Sequence, residues 1–245
     1  MDDTPASDMY SSAYCDAAGL WVRLRAYRLW DSCMELRMLA PTAYARTGEA
    51  DPIRYYRLPV IGRMFRRRIE KCISLLPSGQ KVLELGYGSG VSFLSLAEKF
   101  HEIHGIDVHP NAGAVRASFA SEDLRPQLRQ GTIWELPYES NSFDAALAIS
   151  IHEELPPERQ AAAFREVHRV VRPGGCYVVG VPGVHFLMNT AFYLLGCNIR
   201  KYHLTTEGQV LRGMSVDFDV DALDYSPKLL PRSLTTYVCM RGWKR

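Results

Sequence analysis

Nine residues, Val82-Leu83-Glu84-Leu85-Gly86-Tyr87-Gly88-Ser89-Gly90, restrict the folds open to this chain more than any others. A short apolar run carrying one acidic residue reads as a buried β-strand. It ends in three glycines at alternate positions, the mark of a tight turn where backbone comes close to a ligand. Glycine tolerates positive φ there and lets N–H groups face a bound molecule. The spacing is G-x-G-x-G. A dinucleotide fingerprint, G-x-G-x-x-G, would place its third glycine where Val91 stands. The turn therefore points away from NAD and toward another nucleotide-like ligand.

From this strand onward, strand and helix patterns alternate. Strands are predicted at 81–86, 103–107, 126–131, 143–150 and 175–181, with helices at 90–100, 110–120 and 157–171 between them. Such alternation builds a parallel, doubly wound sheet. Arg172-Pro173-Gly174-Gly175 stops the last helix, since proline cannot continue it and glycine supplies the turn. Two further strands, 214–225 and 233–242, are joined too closely for a helical crossover and should pair antiparallel. The expectation is an α/β fold: a doubly wound, mostly parallel seven-stranded sheet with an antiparallel C-terminal strand pair. Residues 182–213 break the rhythm as an insertion after the fifth strand.

Ahead of the sheet, the spacing of Leu20, Leu24, Tyr27, Trp30, Met34 and Met38 predicts a helix over 20–40, ended by Pro41. A second helix is predicted over 60–76. Ile61, Met64, Phe65, Ile69, Cys72 and Leu75 form its apolar side, with Arg63, Arg66, Arg67 and Lys71 opposite. Residues 1–58 thus read as an N-terminal helical lid segment, and 59–245 as the main domain.

Composition excludes more than it selects. With 245 residues, 47% of them hydrophobic, the chain can bury a large core. A net charge of +2 calls for no particular partner. The six cysteines are scattered without a C-x-x-C pair, which argues against a metal knuckle and fits a reducing, cytoplasmic setting. No apolar run is long enough to span a bilayer, and the acidic N-terminus is unlike a secretory signal. Aromatic RNA-binding strands are absent, so no nucleic acid is expected. Arg23, Arg25 and Arg28 lie among Trp21, Tyr27 and Trp30, a mixture that suits peripheral contact with a membrane as well as an ordinary lid.

Ligands of an open parallel sheet bind beyond the carboxyl ends of its strands. Besides the glycine turn, Asp107 closes Ile103–Asp107 and can accept two hydrogen bonds from a ribose diol. Gly131-Thr132-Ile133-Trp134 follows the third strand and suits a flat base.

With these blocks in place, the chain resembles the class I S-adenosylmethionine-dependent methyltransferases of Rossmann-like fold. The resemblance rests on Val82–Gly90, on Gly105–Pro110, and on Leu136-Pro137-Tyr138 with Ser142-Phe143-Asp144. It rests also on Glu166–Gly175 and, loosely, on the closing strand pair. It implies S-adenosyl-L-methionine as cofactor. Gly86, Gly88 and Gly90, with Tyr87, would lie under its methionine part and ribose. Glu84 would hold the methionine ammonium, Asp107 the ribose hydroxyls, and Val108 the adenine face. Ile133 would offer its backbone N–H to the base, and Ile149 and Ser150 would pass near the sulfonium. The chain departs from the family at Thr132, where an acidic residue usually meets the adenine amino group; its hydroxyl can accept that contact without charge, so Thr132 is also a candidate cofactor-binding residue.

It departs again at His152-Glu153-Glu154, which puts three titratable groups near the expected methyl-transfer point. His152 and Glu153 are the candidate catalytic residues, because a protonated nucleophile needs a base. The apolar insertion Val184–Cys197 suits a lid over a hydrophobic small-molecule acceptor, with His185, Tyr202 and His203 as secondary contacts. Two other readings remain open: a nicotinamide oxidoreductase on a related sheet, and a non-catalytic protein that binds a membrane or partner. Nothing fixes the oligomeric state or the acceptor atom.

Overall fold

The computed structural model describes residues 11–15, 21–25, 34–48, 51–183, 204–226 and 235–245. Two short strands, β1 (Ser11–Cys15) and β2 (Trp21–Arg25), pair antiparallel on their own. The main sheet contains β3 (Gly79–Leu85), β4 (Phe100–Asp107), β5 (Gln127–Gln130), β6 (Phe143–Ile149), β7 (Val171–Pro182), β8 (Asp219–Ser226) and β9 (Tyr237–Trp243). Its order is β5-β4-β3-β6-β7-β9-β8. Pairing is parallel from β5 through β7, and β9 runs antiparallel to both β7 and β8. This is the expected seven-stranded fold with its antiparallel pair.

The strand order reverses between β3 and β6, which opens a crevice at their carboxyl ends. Both sheet faces are covered, so the strands are apolar on both sides. Along β3, Val82 joins the core on one face, while Leu83 and Leu85 join the other. The same period of two separates Ala145 and Leu147 from Ala146 and Ala148 on β6. Helices α1 (Pro59–Leu75), α2 (Phe93–Leu96) and α3 (Ala112–Ser118) cover the first face. Helices α4 (Pro157–Val170) and α5 (Glu207–Asp217) cover the second.

α1 starts with Pro59 in its first turn, where the missing N–H costs nothing, and stops before Pro77. It buries Ile69, Cys72, Ile73 and Leu75. Lys71 does not belong to a solvated basic face: it is buried, and its Nζ donates to Asp224 Oδ1 of β8 at 2.9 Å.

The helix expected over 20–40 is not formed in its described parts. Residues 21–25 are strand β2, and 34–40 have no regular structure. Trp21-Val22-Arg23-Leu24-Arg25 also alternates with period two, so the helical stripe was ambiguous there. Further along, the domain takes the backbone donors a helix would use. Leu36 N–H donates to Glu70 Oε1 at 3.2 Å, Arg37 N–H to Ser95 Oγ at 2.9 Å, and Leu39 N–H to the Tyr44 hydroxyl at 3.0 Å.

The segment expected to be helical over 90–100 narrows to α2, because β4 already begins at Phe100. The segment expected to be a strand from 214 is helical to Asp217, and only then enters β8. Thr206 and Gln209 cap α5 reciprocally, a capping box that the sequence displays. α5 lies in the 182–213 insertion but packs Val210, Leu211 and Met214 into the second-face core. The apolar run 184–197, with His185, Tyr202 and His203, falls outside the described residues. Among the described residues, no helix is long and apolar enough to cross a membrane.

Candidate functional site

A cavity of about 1480 Å³ opens at the crevice between β3 and β6. That exceeds the usual range of about 300–1,000 Å³ for a single small-molecule pocket. The glycine turn forms its floor. Gly86, Gly88 and Gly90 have φ of +70°, +51° and +79°. A Cβ on Gly86 would meet Ile151 Cδ1 at 2.0 Å, whereas a Cβ on Gly88 would have nothing within 4 Å. Gly86 is therefore demanded by packing. Gly88 is demanded only by its backbone conformation and leaves its surroundings open.

Asp107 at the end of β4 braces this turn. Its Oδ2 accepts from Gly88 N–H at 2.8 Å and its Oδ1 from His109 N–H at 3.3 Å. His109 completes the brace. Its Nδ1 accepts from Asn111 N–H at 3.1 Å, which leaves Nε2–H to donate to the Gly88 carbonyl at 3.0 Å. Asp107 keeps free lone pairs on the cavity side, and Val108 beside it is 68% exposed. Above the turn, Ser89 Oγ lies 3.4 Å from Asp51 Oδ1, and Thr47, Gly48, Asp51, Tyr55 and Tyr56 line the cavity there.

Glu84 is buried at the end of β3, and the Ser92 hydroxyl donates to its Oε2. No cation pairs with it among the described residues. Burial, resisted by the Ser92 bond and aided by the negative charge of Asp107, pushes its carboxyl up to about 8. Such a group is completed by a cationic ligand.

Tyr87 lines the cavity, but its ring turns into the protein. It packs against Phe93 and, edge-on at 5.0 Å, against His109. Ile133 and Trp134 line the cavity beyond β5, while Thr132 pairs with Glu135 and does not. The loop that carries them is tied to α4: Leu136 N–H donates to Glu166 Oε2, and Arg169 donates to the Leu136 and Tyr138 carbonyls at 2.9 and 2.8 Å. Part of the Glu166–Gly175 block thus holds the base-side loop.

At the end of β6 the three titratable residues separate. Ile149, Ser150, Glu153 and Glu154 line the cavity. His152 does not, and this corrects its candidacy as a base. It is fully buried, stacked on Phe164 at 4.4 Å, with Nδ1 2.8 Å from Gln160 Oε1 and Nε2 2.6 Å from the Tyr177 hydroxyl. Burial lowers its pKa to about 4, so the ring stays neutral and both nitrogens are used within the core. We expect His152→Ala to strand the Gln160 and Tyr177 partners and cost about 2–4 kcal/mol. Thermal unfolding should show a clear drop in Tm while cofactor-analogue binding persists. Loss of methyl transfer at unchanged Tm would restore His152 to catalysis.

Of the two carboxyls left on the cavity, Glu153 is the more deeply buried. It is 2% exposed, and its Oε2 has no hydrogen-bond partner. Burial raises its pKa to about 8, with Glu154 adding to the rise while Arg68 and Ser150 oppose it. Ser150 adopts φ +58°, a conformation rare outside glycine and often found where a site holds its backbone under constraint. Its hydroxyl meets the Tyr237 hydroxyl at 3.1 Å and Arg68 Nη1 at 3.4 Å. Arg68 and Tyr237 were not candidates from sequence. One signal was available: Arg68 interrupts the apolar stripe of Ile61, Met64, Phe65, Ile69 and Cys72 at helical spacing.

Comparison with known proteins agrees with this geometry. Residues 82–175 match the family model described as a methyltransferase domain. A probable S-adenosylmethionine-dependent methyltransferase of Mycolicibacterium smegmatis is 30% identical over 120 residues, which cover 49% of this chain and 42% of that protein. The chain thus spans less than half the length of such curated relatives. Among solved structures, the PH0226 protein of Pyrococcus horikoshii is similar with a TM-score of 0.60 at 18% identity, over 78% of this chain and 99% of that one. Geranyl diphosphate C-methyltransferase of Streptomyces coelicolor is similar with a TM-score of 0.61 at 12% identity, over 86% and 88%. Residues 82–175 therefore form a methyltransferase domain of the class I, S-adenosylmethionine-dependent family.

Proposed function

We propose that this methyltransferase domain makes the chain an enzyme that methylates a small, largely apolar acceptor. One observation carries the reading. A positive-φ glycine turn, a braced Asp107 and a buried, cation-free Glu84 share one cavity at the topological switch point. These groups fit S-adenosylmethionine: Glu84 would hold its ammonium, Asp107 its ribose hydroxyls, Val108 and Ile133 its adenine. When bound, the cofactor supplies an electrophilic methyl group.

The remaining volume suits an acceptor. Tyr56, Met64, Phe65, Trp134 and Leu155 give that space apolar walls. Methyl transfer depends largely on positioning, which a walled cavity provides. Glu153, a buried carboxyl with one unpartnered oxygen, would take the proton of the acceptor's nucleophile. Residues 47–48 and 51–56 act as the described part of a lid over the cofactor.

The test is a thermal-shift comparison of S-adenosylhomocysteine with NAD and NADP. We expect stabilisation by the former alone. In Asp107→Ala, which loses both the brace and the ribose contact, affinity for S-adenosylhomocysteine should fall about 100-fold, two charge-assisted hydrogen bonds being lost. Stabilisation by the nicotinamide cofactors alone would sink the reading. Incubation with labelled S-adenosylmethionine and extracts, separated into lipid and polar fractions, then locates the acceptor.

A further inference from the structure

Several sheltered cations among the described residues are paired with acids, whereas Arg68 beside the cavity is not. Lys71 meets Asp224 at 2.9 Å, Arg241 meets Asp221 at 2.6 Å, and Arg169 meets Glu166 at 2.8 Å. Arg68 has no carboxylate within ion-pair distance among the described residues. Its guanidinium lies over the Phe65 ring, 4.0 Å from the centroid, and 6.0 Å from that of Tyr237. Its guanidinium also acts on the Tyr56 hydroxyl, its Nη1 makes a long bond to Ser150, and its Nε is buried without a partner.

A half-buried guanidinium with hydroxyls and rings around it but no carboxylate still lacks a counter-charge for its lost hydration. Its planar fork matches an anion that offers two oxygens. Arg63 and Arg67 of the same helix also line the cavity. Glu153 stands near enough to feel the charge of Arg68, yet the two are not paired. The space beside Ser150 and Tyr237 therefore offers donors on the α1 side and the Glu153 carboxyl on the β6 side.

We infer that the acceptor carries an anionic oxygen group, a carboxylate or a phosphate, which binds Arg68 beside Ser150 and Tyr237. This rests on the methyltransferase reading above and adds the chemical class of the acceptor: an apolar body with one acidic end. The apolar walls take the body, and Arg68 fixes which end enters first. Arg68 is then a specificity-determining residue.

Simple probes test this on the whole chain saturated with S-adenosylhomocysteine. Benzoate, phenyl phosphate and the neutral isostere benzamide are titrated at millimolar concentration by calorimetry and thermal shift. We expect benzoate, phenyl phosphate or both to bind about tenfold or more tightly than benzamide. Arg68→Met should lose that preference and Arg68→Lys should keep part of it, while both retain the shift given by S-adenosylhomocysteine as proof of folding. Preference for benzoate assigns a carboxylate, and preference for phenyl phosphate a phosphate. Benzamide binding as well as the anions, no anion binding, or an unchanged preference in Arg68→Met would overturn the inference. Absence of any S-adenosylhomocysteine shift in the wild-type chain would instead overturn the methyltransferase reading.

Discussion

Glu153→Gln should lower methyl transfer by about 10²- to 10⁴-fold, the usual contribution of a positioned general base. The carboxyl is buried, faces the cavity and has an oxygen without a partner. Its pKa of about 8 means that the ligand-free enzyme holds it mostly protonated at neutral pH. Only the ionised form accepts a proton, so kcat/KM should rise with pH, reach half its plateau near pH 8 and level off above it. In Glu153→Gln the residual activity should lose that limb. The measurement is a pH profile of label transfer to the acceptor fraction. A variant that keeps both its rate and its limb would remove Glu153 from the chemistry. Binding of S-adenosylhomocysteine should survive, because Glu153 is not among the groups assigned to the cofactor.

Glu84→Gln should act in two opposite directions. The unfolded carboxyl titrates near 4.5 and the folded one near 8. Between these values the native state binds the extra proton, so stability falls as pH rises, and is fully retained only below about 4.5. At about 1.4 kcal/mol per unit, the loss by pH 7 is on the order of 3 kcal/mol. Glutamine does not titrate, so the variant's Tm should lose this decline and exceed the wild type at pH 8. Its affinity for S-adenosylhomocysteine should nonetheless fall about 10- to 100-fold, through loss of a charged partner for the ammonium. Unliganded melting curves from pH 5 to 8, with a binding isotherm at pH 8, check both. Parallel Tm profiles or unchanged affinity would contradict this role. The site's demand for a charge is thus a standing instability of the empty fold, relieved by the ligand.

The parts of this fold that were legible in sequence obey short-range rules. Alternation of strand and helix gave the sheet, and three glycines with Asp107 gave the cofactor end. What was hidden depends on contacts between distant segments. Leu36, Arg37 and Leu39 carry the pattern of a helix, but their N–H groups find Glu70, Ser95 and Tyr44 instead. His152 and Glu153 are adjacent in sequence, and nothing local says which enters the cavity. A 3-10 turn over His152–Glu154 sends the imidazole to Gln160 and Tyr177, and the carboxyl to the opposite side. Arg68 was visible as a break in a stripe, but its meaning required Ser150 from β6 and Tyr237 from β9. The capping box at Thr206 and Gln209 is a helix-start signal that the reading of 182–213 as an insertion did not use.

The position of β9 bears on how the molecule is made. It follows β8 in the chain, yet lies between β8 and β7. During synthesis β8 leaves the ribosome with no strand to join, and the growing sheet exposes the open edge of β7 until β9 arrives. Such late, long-range pairing slows folding and leaves an edge open to association. Tyr237, the first residue of β9, also walls the cavity beside Ser150. A nascent chain that has already formed its glycine turn still lacks Tyr237, so the strand that closes this sheet also completes the cavity wall.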